Sequence, residues 1–142
     1  GRLEGREGEV RERGRDGAMR QRFEIPGKLP SLNDYVDACR RNPYVGNKAK
    51  QRTQDEVMLA IKAARLKPMR APVSVSFEWV EPDMRRDKDN ISSAKKYILD
   101  ALVESGVISN DNWKWIAGNL PDSYKVNKQN PRVIVTLEGE PR

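Results

Sequence analysis

Val73-Ser74-Val75-Ser76-Phe77-Glu78-Trp79 alternates apolar and polar side chains without a break. A side-chain repeat of two puts Val73, Val75, Phe77 and Trp79 on one face of a strand and Ser74, Ser76 and Glu78 on the other. Such a strand needs a second layer over its apolar face, and the flanking sequence supplies helices for it. Upstream, residues 47–66 carry Val57, Ile61 and Ala64 on one helical face. A shorter helix is predicted from Ser31-Leu32-Asn33-Asp34, which offers several N-caps, to about Arg41, with Asn42 to Gly46 as a loop. Downstream, a helix from about Asp89 to Glu104 presents Ile91, Ala94, Ile98 and Leu102 as one buried stripe and closes at Ser105-Gly106. Short strands are expected at Arg22–Ile25, Trp113–Ile116 and Arg132–Leu137, the last two joined by a polar hairpin-like connection. The order β-α-α-β-α-β-β predicts an α+β domain, a small mixed sheet with helices packed on it.

The 142 residues suffice for one domain with a real core, and the net charge of +6 favours an anionic partner. In residues 1–18 five arginines balance five acids, so the positive excess lies wholly in the remainder. That stretch has only Leu3 and Val10 as sizeable apolar side chains and reads as a disordered or foreign leader. Met19 then marks a natural start, with 19–142 as the functional domain. The lone Cys39 excludes an internal disulfide and fits a reducing compartment. No apolar run reaches the roughly 18 residues of a membrane span, so a soluble, cytoplasmic protein is expected. Histidine is absent, which removes Ser-His-Asp and Cys-His catalysis, His-ligated zinc and histidine as general base. Carboxylates, lysine and a metal remain for any hydrolysis.

The strand delivers the chain into Arg85-Arg86-Asp87-Lys88-Asp89-Asn90, and a second polar turn, Ser109-Asn110-Asp111-Asn112, carries one more acid. Two carboxylates one residue apart in a basic run suit a hard divalent cation, which takes oxygen ligands, and the nearby Arg and Lys suit a polyanion. The plainer alternative is an acidic turn neutralised by its neighbours. At about 100° per residue, Asp89, Lys96 and Asp100 share one face of the predicted helix. Lys96 lies roughly 10 Å along it and Asp100 roughly 16 Å, so Asp100 is too distant to share an ion with Asp89 and is read as structural or solvated. Lys95 projects to the apolar side, where a snorkelling stem is expected. If the fold returns Asp111 to Asp87 and Asp89, the three acids repel unless a cation neutralises them. Arg85 and Arg86 flank the acids where a scissile phosphate would lie. Lys48, Lys50 and Arg52, at the start of the longer helix, suit phosphate contacts or simply a solvated face. Trp113 and Trp115 share a strand face that suits the core or a subunit interface better than base stacking. Asn33 suits a helix cap or an active-site contact, and Tyr97 a dimer or DNA contact.

The segment Arg86-Asp87-Lys88-Asp89-Asn90-Ile91, then Leu99-Asp100-Ala101-Leu102, then Gly106-Val107-Ile108 and Asp111, resembles RusA-type Holliday junction resolvases. Leu29-Pro30-Ser31-Leu32-Asn33 resembles the Pro-Ser-x-Asn segment of that family, and the similarity runs from about Phe23 to Leu137. The resemblance implies a homodimeric, Mg²⁺-dependent endonuclease, often carried by phages and prophages, that acts on branched DNA and leaves 5′-phosphate and 3′-hydroxyl ends. Mn²⁺ is the expected substitute, and no organic cofactor is implied. Asp87 and Asp89 match the paired metal-site aspartates of the family, and Asp111 the third acid. A family lysine four residues after the second aspartate meets Ser93 here; counted back from Asp100, with about three extra residues in this helix, it falls on Lys96, the lysine that helix facing also prefers over Lys95. The paired acids sometimes seen at the third element appear as Asn110-Asp111. A non-catalytic branched-DNA-binding protein of the same fold, or a less selective phage nuclease acting on flaps or forks, are the competing readings.

Overall fold

The computed structural model describes residues 11–13 and 18–142. Its elements are β1 (Arg11–Arg13), β2 (Met19–Pro26), α1 (Leu32–Arg41), α2 (Pro43–Ala64), β3 (Met69–Glu81), α3 (Lys88–Ser92), α4 (Lys95–Glu104), β4 (Ile116–Ala117), β5 (Asp122–Val126) and β6 (Arg132–Pro141). The expected α+β fold is present: one mixed sheet in the order β1-β2-β6-β3-β4, with β5 also on β3, covered on one face by helices. The alternation in β3 buries Val73, Val75, Phe77 and Trp79 to 2% exposure or less, and α2 and α4 answer with Val57, Ile61, Ile98 and Leu102. Gln21 is also fully buried on this face, its amide group donating to the Lys67 carbonyl and accepting from the Lys67 amide. The leader expected over residues 1–18 falls mostly outside the described residues; within it, Arg11–Arg13 pairs antiparallel with β2 at Met19–Gln21. Backbone hydrogen bonds along a sheet edge need no apolar side chains.

The structure redraws four local readings. The loop expected at Asn42–Gly46 is the first turn of α2: the Asn42 side chain accepts from the amides of Tyr44 and Val45, and Pro43 takes the first helical position, where its missing N–H costs nothing. The helix expected from Asp89 to Glu104 is two helices, α3 and α4, joined through Ser93 and Ala94. Ile91, Ala94, Ile98 and Leu102 are all buried as the stripe requires, but the helical phase does not run through the join. The strand expected at Trp113–Ile116 is a turn, with only Ile116–Ala117 in the sheet. β4 and β6 lie on opposite sides of β3, so no hairpin joins them; the polar connection contains β5 instead, parallel to β3. Asp122-Ser123-Tyr124-Lys125-Val126 carries no alternating apolar signal because it sits at an exposed edge. The parallel pairing is made possible by α3 and α4, which form the crossover between β3 and its new neighbours.

Candidate active site

The Asp87–Asp89 turn follows the end of β3 and is tied down by residues distant in sequence. Arg86 donates to both carboxylate oxygens of Glu81, at 3.1 and 2.7 Å, and to the Leu29 carbonyl at 2.9 Å. The Asn33 amide donates to Asn90 Oδ1 at 2.9 Å. Ser93 Oγ donates to the Asn90 carbonyl at 2.7 Å and accepts from the Leu32 amide at 3.0 Å. Tyr124 OH donates to the Lys88 carbonyl at 3.4 Å, and Lys88 Nζ lies over the Tyr124 ring. The Pro-Ser-x-Asn segment that opens α1 thus bonds directly to the acid turn. Ser31 caps α1 in a reciprocal box with Asp34, which leaves the Asn33 side chain free to make the Asn90 contact. Asp87 stands at the N-cap of α3 without a side-chain cap bond, Asp89 Oδ1 accepts from the Asn90 amide, and both acids are exposed.

The Asp111 turn is held chiefly by its own asparagines. Asn110 Oδ1 accepts from the amides of Asp111 and Asn112 at 2.7 and 3.1 Å, and Asn112 Oδ1 from those of Lys114 and Trp115 at 3.1 and 3.2 Å. Lys96 Nζ lies 2.9 Å from Asp100 Oδ1 and 3.9 Å from Asp111 Oδ2. The break before α4 changes the facing argument: Lys96 turns to Asp100 and Asp111, and Asp100 is the lysine's closest anion. Asp100's hydrogen bond raises the Lys96 pKa, against the opposing effect of partial burial, with added attraction from Asp100 and Asp111. Lys95 runs inward as expected. Its ammonium lies over the Phe77 ring and reaches the Leu120 carbonyl and Asp122 Oδ2, both at 3.0 Å. Among the described residues no three acids or cysteines form a group able to hold a metal ion. The donors on the two turns are nevertheless oxygen-only carboxylates, the chemistry that suits Mg²⁺.

The basic candidates divide. Arg86 is 19% exposed along its side chain and committed to Glu81, whereas Arg85 is 89% exposed beside Asp83. Lys48, Lys50 and Arg52 are all on the surface of α2. Lys48 lies over the Tyr44 ring and Lys50 over the Tyr35 ring. Lys50 also borders an open cleft of about 410 Å³ with Asn47, Gln51 and Gln54 on one side and Asp100 and Glu104 on the other. That cleft connects the basic face of α2 to the anion partner of Lys96. Tyr97 is buried in the core beneath α1 instead of flanking the surface, and of the two tryptophans Trp115 packs against the core while Trp113 is exposed.

Two acids that hold this region were not singled out from sequence. Glu81 extends the inward parity of Val73, Val75, Phe77 and Trp79 by one more step, and a carboxylate at an inward strand position is a signal that it must have a cationic partner. Asp122 bridges Lys95 and the Trp79 indole N–H, 2.8 Å away, and lies in the strand that has no apolar pattern. Nothing local marks it.

No helix among the described residues is long and apolar enough to cross a membrane. A search of individually curated proteins gave no match. The family model for endodeoxyribonuclease RusA matches residues 11–138 of the 142, and the chain belongs to that family.

Proposed function

We propose that this protein is a Mg²⁺-dependent, structure-selective endodeoxyribonuclease that resolves Holliday junctions by paired nicks, as a homodimer, in DNA recombination and repair. The observation that carries the reading is the bonding of Asn33 to Asn90 and of Leu32 to Ser93. These bonds join two sequence elements of an endodeoxyribonuclease family around the Asp87–Asp89 turn. Asp87, Asp89 and Asp111, which the structure does not gather into one group, are the oxygen donors assigned to Mg²⁺, with Mn²⁺ as substitute. When bound, the cation supplies charge to the phosphate and acidifies a water for attack.

The remaining chemistry falls to the chain's own side chains. Lys96, kept protonated by Asp100, supplies positive charge to the phosphate oxygens as they gain negative charge in the transition state. A lysine is already a cation at neutral pH and Asp100 raises its pKa further, so it acts as a charge and not as a general base. Lys95 cannot share this role while Asp122 and Leu120 hold it. Arg85 is assigned to DNA phosphate. Arg86 acts at one remove, bracing the acid turn on Glu81 and Leu29. Lys48, Lys50 and Arg52 extend a sequence-independent phosphate track along α2. The products assigned are 5′-phosphate and 3′-hydroxyl ends, and a single cysteine suits the cytoplasm.

The test is cleavage of a mobile four-way junction by wild type and Asp89→Asn, with and without Mg²⁺. Wild type cuts only with the ion, and Asp89→Asn binds without cutting. Full cleavage by Asp89→Asn would rule out the assignment. A flap and a linear duplex at equal salt separate a junction resolvase from a less selective nuclease.

A further inference from the structure

Trp113 is 99% exposed, whereas Trp79 is buried and Trp115 packs against the core. It is not on a loose segment. Asn112 accepts from the amides of Lys114 and Trp115, Asn110 accepts from those of Asp111 and Asn112, and the Trp115 carbonyl accepts from the Val73 amide of the central strand at 2.7 Å. The indole is therefore presented to solvent by a fixed turn, two residues from Asp111, whose carboxylate faces Lys96. Exposed Lys114 follows it.

An aromatic face beside cations is how proteins hold unstacked nucleobases, since every base offers a π-face and every nucleotide a phosphate. In a linear duplex each base pair is already stacked on both sides and leaves an indole nothing to cover. At a branch point the stack is interrupted, and a base face becomes available next to the strand to be cut. We propose that Trp113 stacks on a nucleobase at the DNA branch point and so distinguishes branched from linear DNA. The proposal rests on the nuclease reading of the neighbouring acids. Exposed Lys114 beside the indole, on a chain of net charge +6, favours a polyanion as the occupant.

The experiment uses the non-cutting Asp89→Asn protein and adds Trp113→Ala or Trp113→Phe. Affinity is measured for a four-way junction carrying 2-aminopurine at the branch point and for a linear duplex of the same sequence, at one salt concentration, with sedimentation of each protein alone. Trp113→Ala should lose about tenfold or more in junction affinity, change little on the duplex, and abolish the 2-aminopurine quench, while Trp113→Phe keeps most of both signals. Equal loss on both DNAs, or no loss on the junction, overturns the proposal. So does dissociation of a dimer by Trp113→Ala, which would make the indole a subunit contact. If the parent Asp89→Asn protein itself fails to prefer the junction, the junction-resolvase reading falls and this proposal with it.

Discussion

The two acid-bearing turns are built in opposite ways. The turn of Asp87 and Asp89 is held from outside, by Glu81 and Leu29 through Arg86, by Asn33 through Asn90, by Leu32 through Ser93 and by Tyr124 through Lys88. The turn of Asp111 is held from within, by Asn110 and Asn112. An acid positioned by tertiary contacts is only as well placed as the packing of β3, α1 and β5 around it. An acid positioned by its own turn keeps its local shape through disturbances elsewhere. Lys96 connects the second turn to α4 through Asp100 and Asp111.

The largest break of the external scaffold is Glu81→Ala. Glu81 is 5% exposed, and its removal leaves the Arg86 guanidinium without its anion. Removing one member of such a pair costs roughly 3–5 kcal/mol, because the partner stays behind uncompensated. Chemical denaturation should report that loss, and junction cleavage should fall with it. Glu81→Gln, which retains one acceptor, should fall between. A cost under about 1 kcal/mol for Glu81→Ala would show that the pair does not brace the turn.

Next comes Lys96, where the expected effect is catalytic. Lys96→Met should reduce cleavage about 10²- to 10³-fold while leaving junction binding and folding nearly unchanged, the pattern of a charge used in the transition state. Lys95→Met should do the reverse, destabilising the fold through loss of the Asp122 contact with a smaller direct effect on the chemical step. If the two variants trade places, the assignment of the lysines is inverted.

How much of this could be read from the chain depends on whether the interaction is periodic. The β3 face and the stripe of Ile91, Ala94, Ile98 and Leu102 follow from side-chain repeats, and both are buried. The acids were visible as residue types, and family resemblance ordered them. The break at Ser93-Ala94 was not legible because the apolar stripe continues through it; only Ser93's bonds to Leu32 and Asn90 explain why the chain turns there. That break in turn decides where Lys96 points. β5 was hidden for a related reason: an edge strand can be polar throughout, and its partner Phe77–Glu81 lies more than forty residues upstream. Arg86 illustrates the limit for charged residues. A basic side chain next to two acids looks available for phosphate, and only the three-dimensional position of Glu81 reveals that it is taken.

Asn110→Ala probes the self-contained turn. Asn110 is exposed, so water replaces the lost acceptor and the fold should lose only about 0.5–1 kcal/mol. The effect on cleavage should exceed that, since the same oxygen orders Asp111. Asn33→Ala is the matching probe on the other turn, again with a small stability change and a larger change in rate. If both variants cut junctions at the wild-type rate, neither asparagine positions an acid.

The smallest effect concerns pH and the packing beneath α1. Tyr97 is 1% exposed, and burial raises its pKa above the ordinary 10.0, with further contributions from Tyr35, Asp34 and Cys39. The folded protein therefore keeps the Tyr97 proton at pH values where the unfolded chain gives it up. Its contribution to stability is fully present below about pH 10 and disappears as pH rises through the folded value. Lys96, whose pKa is also raised, acts in the same direction from a more exposed position. Thermal melts between about pH 9 and about pH 11 should show a falling midpoint in wild type and a shallower fall in Tyr97→Phe, which has no proton to lose. Because Tyr97 packs near Asp34 and Tyr35 of α1, the same loss of stability should loosen the Asn33–Asn90 contact before it reaches the Asp111 turn. Amide exchange across the two turns at alkaline pH would reveal that order. Simultaneous opening would mean that the externally held and self-held turns are one cooperative unit.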